Sequence, residues 1–270
     1  MQAPCTRRTL LLGLGGLLAA GCVGPAPRAM PQTGQAVVFD APGLAIRGRY
    51  HPPADGAVAR RLWVVIEGDG AAWPQGLPPQ DPTPRHPAGP GLIAVLPAND
   101  ARLYLARPCH YLTPAALAAC DRHYWTSARF SAPVLAAYRA VVAQYAFDHP
   151  VILVGFSGGG VLAAELALSY KNVAGLITLA APLDLDAWTT HHGVPAVVTA
   201  RGSARRLHDL ARLQIPTLYL FGARDSVVPP AMLHRTGMIL PKNSVQIVPG
   251  LRHSGNWAAV LAPIAARAPW

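Results

Sequence analysis

The chain has 270 residues, 51% of them hydrophobic and 13% charged, with a formal net charge of +10. So little charge at this length excludes an intrinsically disordered chain, and no fixed glycine or heptad period supports a collagen-like or coiled-coil form. The basic excess suggests nucleic acid, but it is mostly scattered arginine, paired only at Arg7-Arg8, Arg60-Arg61 and Arg205-Arg206; without a basic stripe or interleaved aromatics, no nucleic-acid partner is expected.

In chain order the first element is an address. Arg7 and Arg8 precede an apolar run from Leu10 to Ala20, too short for the roughly 20 residues of a membrane span but suited to an export signal. The run ends Leu18-Ala19-Ala20-Gly21-Cys22, which resembles a bacterial lipobox. Residues 1–21 are therefore expected to be removed, and Cys22 to carry a lipid that holds the protein to a membrane at its periplasmic face. Ordinary cleavage nearby and an uncleaved anchor are the alternatives. Thr6-Arg7-Arg8-Thr9-Leu10-Leu11 also resembles a twin-arginine export signal. Residues 22–35, rich in Pro, Gly and Ala, read as a tether, and 36–270 as one folded domain. Loss of the two signal arginines leaves a formal charge of +8.

The domain opens with two β-rich runs, Val37 to Phe39 and Leu44 to Tyr50, split by Ala41-Pro42-Gly43 as in a hairpin. Leu62 to Ile66 is a continuous apolar run, as expected of a strand buried on both faces. A Pro-rich loop from Trp73 to Pro90 leads to a helix near Gly91 to Leu96 and a strand from Arg102 to Ala106. Apolar residues at helical spacing predict a helix over Ser131 to Phe147. Strands at Val151 to Val154, Val173 to Leu179, Thr217 to Phe221 and Val245 to Val248 then alternate with helices at Ala163 to Tyr170, Ala231 to Leu240 and Trp257 to Ala266. Such alternation predicts an α/β domain with a mainly parallel sheet flanked by helices.

The chemistry falls at strand ends. Gly155-Phe156-Ser157-Gly158-Gly159-Gly160 lies between the Val151 strand and a helix, the context a nucleophile elbow needs. Ser157 would occupy a strained turn, and Gly158 would offer its backbone N–H at a helix N-terminus to a developing oxyanion. A phosphate-binding turn is the alternative, but neither a Gly-Lys-Ser/Thr run nor G-x-G-x-x-G is present. Asp225 follows the Thr217 strand, and His253 follows the Val245 strand. Ser, acid and His thus stand in chain order, each at the carboxyl end of a strand, where open α/β sheets bind ligands.

At these residues the sequence resembles the α/β-hydrolase superfamily, from about Leu62 to Trp257. The resemblance implies Ser157 as nucleophile, His253 as general base and acid, and Asp225 as the carboxylate orienting the imidazole, while the residues from Pro182 to Gln214 are too few for a large lid, so a small lid or none is expected. Asp184 and Asp186 are the rival acids. The second oxyanion donor is expected in Glu67-Gly68-Asp69-Gly70, from Asp69 or Gly70, with at least one of the two carboxylates hydrogen-bonded away from the oxyanion. Asp81 to Arg85, Ala106 to Tyr111 and Tyr124 to Phe130 resemble an uncharacterised bacterial branch of the superfamily. Arg107, Trp125 and Arg129 from these runs are candidate substrate contacts, or else the arginines cap carbonyls or pair with Asp81 or Asp121.

Cys109 and Cys120 are expected to form one disulfide in an oxidising compartment, free thiols or a metal pair being the alternatives. His191, His192 and His208 lie between strands, and adjacent His191 and His192 in an extended chain would point opposite ways. No metal site and no cofactor is expected. The expected activity is an exported serine hydrolase acting on small ester-type substrates, foremost a carboxylesterase. Peptidase, thioesterase and acyltransferase share the triad, and a non-catalytic lipoprotein using the fold as a binding scaffold is the alternative of another class.

Overall fold

The structure is a computed structural model, and it describes residues 28–70 and 79–267. The expected signal, Cys22 and residues 71–78 of the Pro-rich loop lie outside the described residues. The expected tether is described from Arg28 onward, and there it is held against the body. Arg28 Nη1 donates to the Thr83 carbonyl, Arg49 Nε donates to the Pro31 carbonyl at 2.6 Å, and Met30 packs on the core.

Strands β1 (Gln35–Ala41) and β2 (Leu44–His51) form the expected hairpin, turning at Gly43 with a φ of +70°. Strands β3 (Leu62–Ile66), β4 (Ala101–Leu105), β5 (Val151–Phe156), β6 (Val173–Leu179), β7 (Thr217–Gly222) and β8 (Val245–Val248) follow. They make one eight-stranded sheet in the order β1-β2-β4-β3-β5-β6-β7-β8. The first two pairings are antiparallel and all the others parallel.

Alternation along β3 shows how the sheet is covered. Leu62, Val64 and Ile66 face a core with α3 (Ala132–Ala146) and α4 (Gly158–Ala167). Trp63 and Val65 face the opposite layer, with α1 (Gly89–Ala94) and α8 (Trp257–Ala265). All five residues of β3 are buried, as a two-faced strand requires. Parallel β3 and β5 are in register from Leu62 opposite Val151 to Ile66 opposite Gly155, so the residues after both strands emerge at one sheet edge.

Three short helices differ from the expected loops: α2 (Pro114–Ala118), α5 (Leu185–His192) and α6 (Ser203–Leu210). His191 and His192 therefore end a helix instead of lying in extended chain, with ring centroids 4.9 Å apart; both, like His208, are exposed. The stretch expected as one helix near 231–240 is a 3-10 turn, Pro230–Leu233, running into α7 (His234–Ile239).

Candidate active site

Ser157 occupies the turn between β5 and α4. Its φ of 52° and ψ of −124° lie where side chains other than glycine are strained. The turn is held by the Ser157 N–H, which donates to the Leu179 carbonyl of β6 at 2.8 Å. It lifts the hydroxyl above the sheet edge, while the Gly158 N–H stands in the first turn of α4, where helical N–H groups have no intrahelical acceptor.

The loops after β7 and β8 bring the other two groups to this edge. His253 Nε2 lies 3.1 Å from Ser157 Oγ, and His253 Nδ1 lies 2.8 Å from Asp225 Oδ2. The other Asp225 oxygen accepts from the N–H groups of Val227 at 2.7 Å and Val228 at 2.8 Å. Burial alone would push the Asp225 carboxyl up; its hydrogen bonds to His253 and the two amides outweigh this and hold it below the ordinary value. The imidazole packs on the Phe156 ring at 5.2 Å, and Trp257 Nε1 donates to the His253 carbonyl at 2.8 Å. Asp184 is engaged elsewhere: it caps α5 through the Ala187 N–H and pairs with Arg235. A serine, an imidazole and an ionised carboxylate so joined can pass a proton from hydroxyl to Nε2 while the carboxylate fixes the tautomer and orientation of the ring.

The loop after β3 flanks Ser157 on the other side. A Cβ on Gly68 would come within 3.3 Å of Ser157 Cβ, and one on Gly158 within 2.0 Å of Asp69 Oδ1. Any side chain at 158 would therefore collide with the Asp69 carboxylate. Gly70, with a φ of +62°, lies beyond, against Pro82, Pro84 and His110. Glu67 is turned away and fully engaged. It accepts from the N–H groups of Gly68, Ala88 and Gly89, and from Tyr104 Oη at 3.1 Å. Burial raises its pKa despite these donors.

Asp69 has a role that the sequence did not suggest. Arg129 Nε donates to its Oδ2 at 2.8 Å, and Arg107 Nη2 stands 3.0 Å from its Oδ1 while giving its well-aligned hydrogen to the Arg129 carbonyl. Both guanidinium groups are buried. The arginines do cap carbonyls, as one expectation had it, but their acidic partner is Asp69 and not Asp81 or Asp121. Arg107 is not among the residues lining the cleft, so its candidacy as a substrate contact is corrected; Arg129 and Trp125 do line it. Behind the cluster, His110 is fully buried, and neither ring nitrogen has a well-aligned partner among the described residues. Burial, then Arg107, pushes its pKa down to about 3.

No protein-family model matches the chain, and no curated protein matches it in sequence. Solved structures do. An α/β serine hydrolase homologue from Coxiella burnetii is 16% identical, covering 88% of this chain and 99% of that one at a TM-score of 0.57. An α/β serine hydrolase without lid from Xanthomonas campestris is 12% identical, covering 90% and 100% at 0.54. Est1E from Butyrivibrio proteoclasticus is 14% identical, covering 85% and 95% at 0.54. The chain has the α/β-hydrolase fold.

In this α/β-hydrolase fold the Ser157 edge opens into a cleft of about 1580 Å³. One wall is the loop closed by the Cys109–Cys120 disulfide, whose Cα atoms are 6.1 Å apart, as the cysteine spacing suggested. That loop contributes Leu112 and Leu117, with Trp125 just beyond it. Phe156 and Trp188 are further apolar lining. Trp188 comes from α5, whose Thr- and His-rich stretch carries no periodic apolar signal. Among the described residues no group of three or more His, Cys, Asp or Glu could hold a metal ion.

Proposed function

We propose that the protein is an exported serine hydrolase that cleaves carboxylic esters of small molecules. The observation that carries this reading is the continuous chain from Asp225 Oδ2 through His253 to Ser157 Oγ, with steps of 2.8 and 3.1 Å. Ser157 Oγ attacks the ester carbonyl as its proton passes to His253 Nε2. The oxyanion is received by the Gly158 N–H and by the Asp69 N–H, with Gly70 supporting that loop. His253 then protonates the departing alcohol, leaving an acyl group on Ser157. Water attacks it with His253 again as base, releasing the acid and restoring the serine. Asp225 stays ionised throughout and favours the imidazolium. Every proton is supplied by this chain or by water, so the sequence of steps calls for no cofactor.

Structural likeness supports the choice of ester. One neighbour of the same fold is Est1E with ferulic acid bound, while another is the thioesterase domain from the curacin biosynthetic pathway; the latter keeps acyl transfer from a thioester as the second reading. Export and lipidation of Cys22 are supported by the N-terminal pattern, and export also by the disulfide, a bond kept in oxidising compartments. Among the described residues no helix is long and apolar enough to cross a membrane. A fluorophosphonate probe tests the activity: it is expected to label the full-length protein, and Ser157→Ala is expected to abolish labelling and reduce ester turnover to background. A folded, unlabelled wild type would instead leave the fold as a binding scaffold.

A further inference from the structure

The chain enters its folded body at the rim of the cleft. Arg28, the first described residue, lines the cleft, donates to the Thr83 carbonyl and lies 3.8 Å from Asp81. The bond from Arg49 to Pro31 fixes the next turn of chain, so the point of entry is set by the fold. Cys22 stands six residues before Arg28. Fully stretched, that connection spans at most about 20 Å. A lipid on Cys22 embedded in a bilayer therefore keeps the cleft rim within about 20 Å of the lipid surface.

The cleft is suited to what it would meet there. Leu112, Leu117, Trp125 and Trp188 supply apolar walls, and the rim carries Arg28 and Arg85, with Asp81 3.8 Å from Arg28. Its volume of about 1580 Å³ exceeds the roughly 300–1,000 Å³ of ordinary small-ligand pockets. We propose that the substrate is an ester borne by an amphiphile of an anionic membrane surface. Its acyl chain enters between the apolar walls, its acidic headgroup meets the arginine rim, and the anchor holds the enzyme mouth toward the bilayer. The tether makes the encounter intramolecular with respect to the membrane, raising the effective substrate concentration without any new contact. This inference rests on the hydrolase reading and on lipidation of Cys22.

The test uses full-length lipoprotein reconstituted in phosphatidylglycerol vesicles containing an acceptor-labelled lipid. A donor dye is placed at the rim by His86→Cys, or at the opposite sheet edge by Phe147→Cys. Phe147 is exposed and precedes the start of β5, whereas Ser157 follows its end. Energy transfer from position 86 is expected to exceed that from 147 several-fold; equal or reversed transfer overturns the orientation. Inserting a flexible Gly/Ser spacer of about 40 residues after Gly24 frees the mouth while keeping the lipid. It is expected to bring the two transfer values together and to slow fatty-acid release from the same vesicles at least threefold; no release from either protein overturns the substrate assignment, and equal release from both overturns the role given to the anchor. Mass analysis showing unmodified Cys22 also overturns the inference. Fluorophosphonate labelling of the same samples separates the failures. Labelled protein that fails these arms refutes this inference alone, and unlabelled protein refutes the hydrolase reading with it.

Discussion

Two carboxylates flank Ser157, and the fold treats them in opposite ways. Among the described residues no guanidinium pairs with Asp225: one imidazole and two backbone N–H groups hold it ionised. Asp69 is clamped by two buried arginines, and a neutral His110 fills the space behind. Under the proposed mechanism the difference follows from what each must do near developing charge. Asp225 is useful only if its negative charge remains available to an imidazolium, so dipoles stabilise it without cancelling it. Asp69 sits against Gly158, beside the expected oxyanion position, where an uncancelled negative charge would oppose the reaction. On that side the guanidinium groups neutralise it and fix its loop.

The comparison can be broken at three points. Asp225→Asn keeps the shape of the first carboxylate and removes its charge, and kcat is expected to fall about 10⁴-fold, or roughly 5.5 kcal/mol, with KM little changed. Steady-state kinetics on a soluble ester would show it; a fall of tenfold or less would mean that Asp225 does not orient the base. A change of pH probes the other side. His110 in the fold binds a proton only near pH 3, whereas in the unfolded chain it does so near pH 6.5. Stability from this group is thus complete above about pH 6.5 and is lost as pH falls toward 3. Between pH 7 and pH 4 the native protein is expected to lose about 3 kcal/mol through His110. Urea titrations of His110→Phe should show a correspondingly flatter pH profile, and parallel profiles would contradict this.

Removing one arm of the clamp gives an effect of similar size that is sharper in kind. Arg129→Met leaves Asp69, itself partly exposed, paired with Arg107 alone, at an expected cost of about 3 kcal/mol, the lower end of the range for broken buried pairs. A double-mutant cycle with Asp69→Asn should recover part of that loss. Additive losses would show that the two residues do not act as a pair.

The same contrast explains what could be read from the residues. Ser157, Asp225 and His253 are marked by position: each follows a strand whose apolar run is unmistakable, and the glycines around Ser157 announce a tight strand-to-helix turn. The parallel sheet and its hairpin were legible for the same reason. Asp69 was equally visible, as a loop residue with a backbone N–H to offer and a carboxylate in need of a partner, but the partners were not. Its arginine partners lie 38 and 60 residues downstream, and local pattern carries no information on long-range ion pairing. Helix α6 was hidden by similar physics. Arg206 is buried on its inner face, where a hydrophobic residue would have revealed the period, because Glu165 of α4 pairs with it at 2.7 Å.

The Cys109–Cys120 bond latches the wall that carries Leu112 and Leu117. Its formation needs an oxidant, and a thiol-rich compartment supplies none. The same polypeptide would thus present two differently finished binding surfaces on the two sides of a membrane. Substrate preference measured on protein isolated from a reducing cytosol would describe the unlatched form.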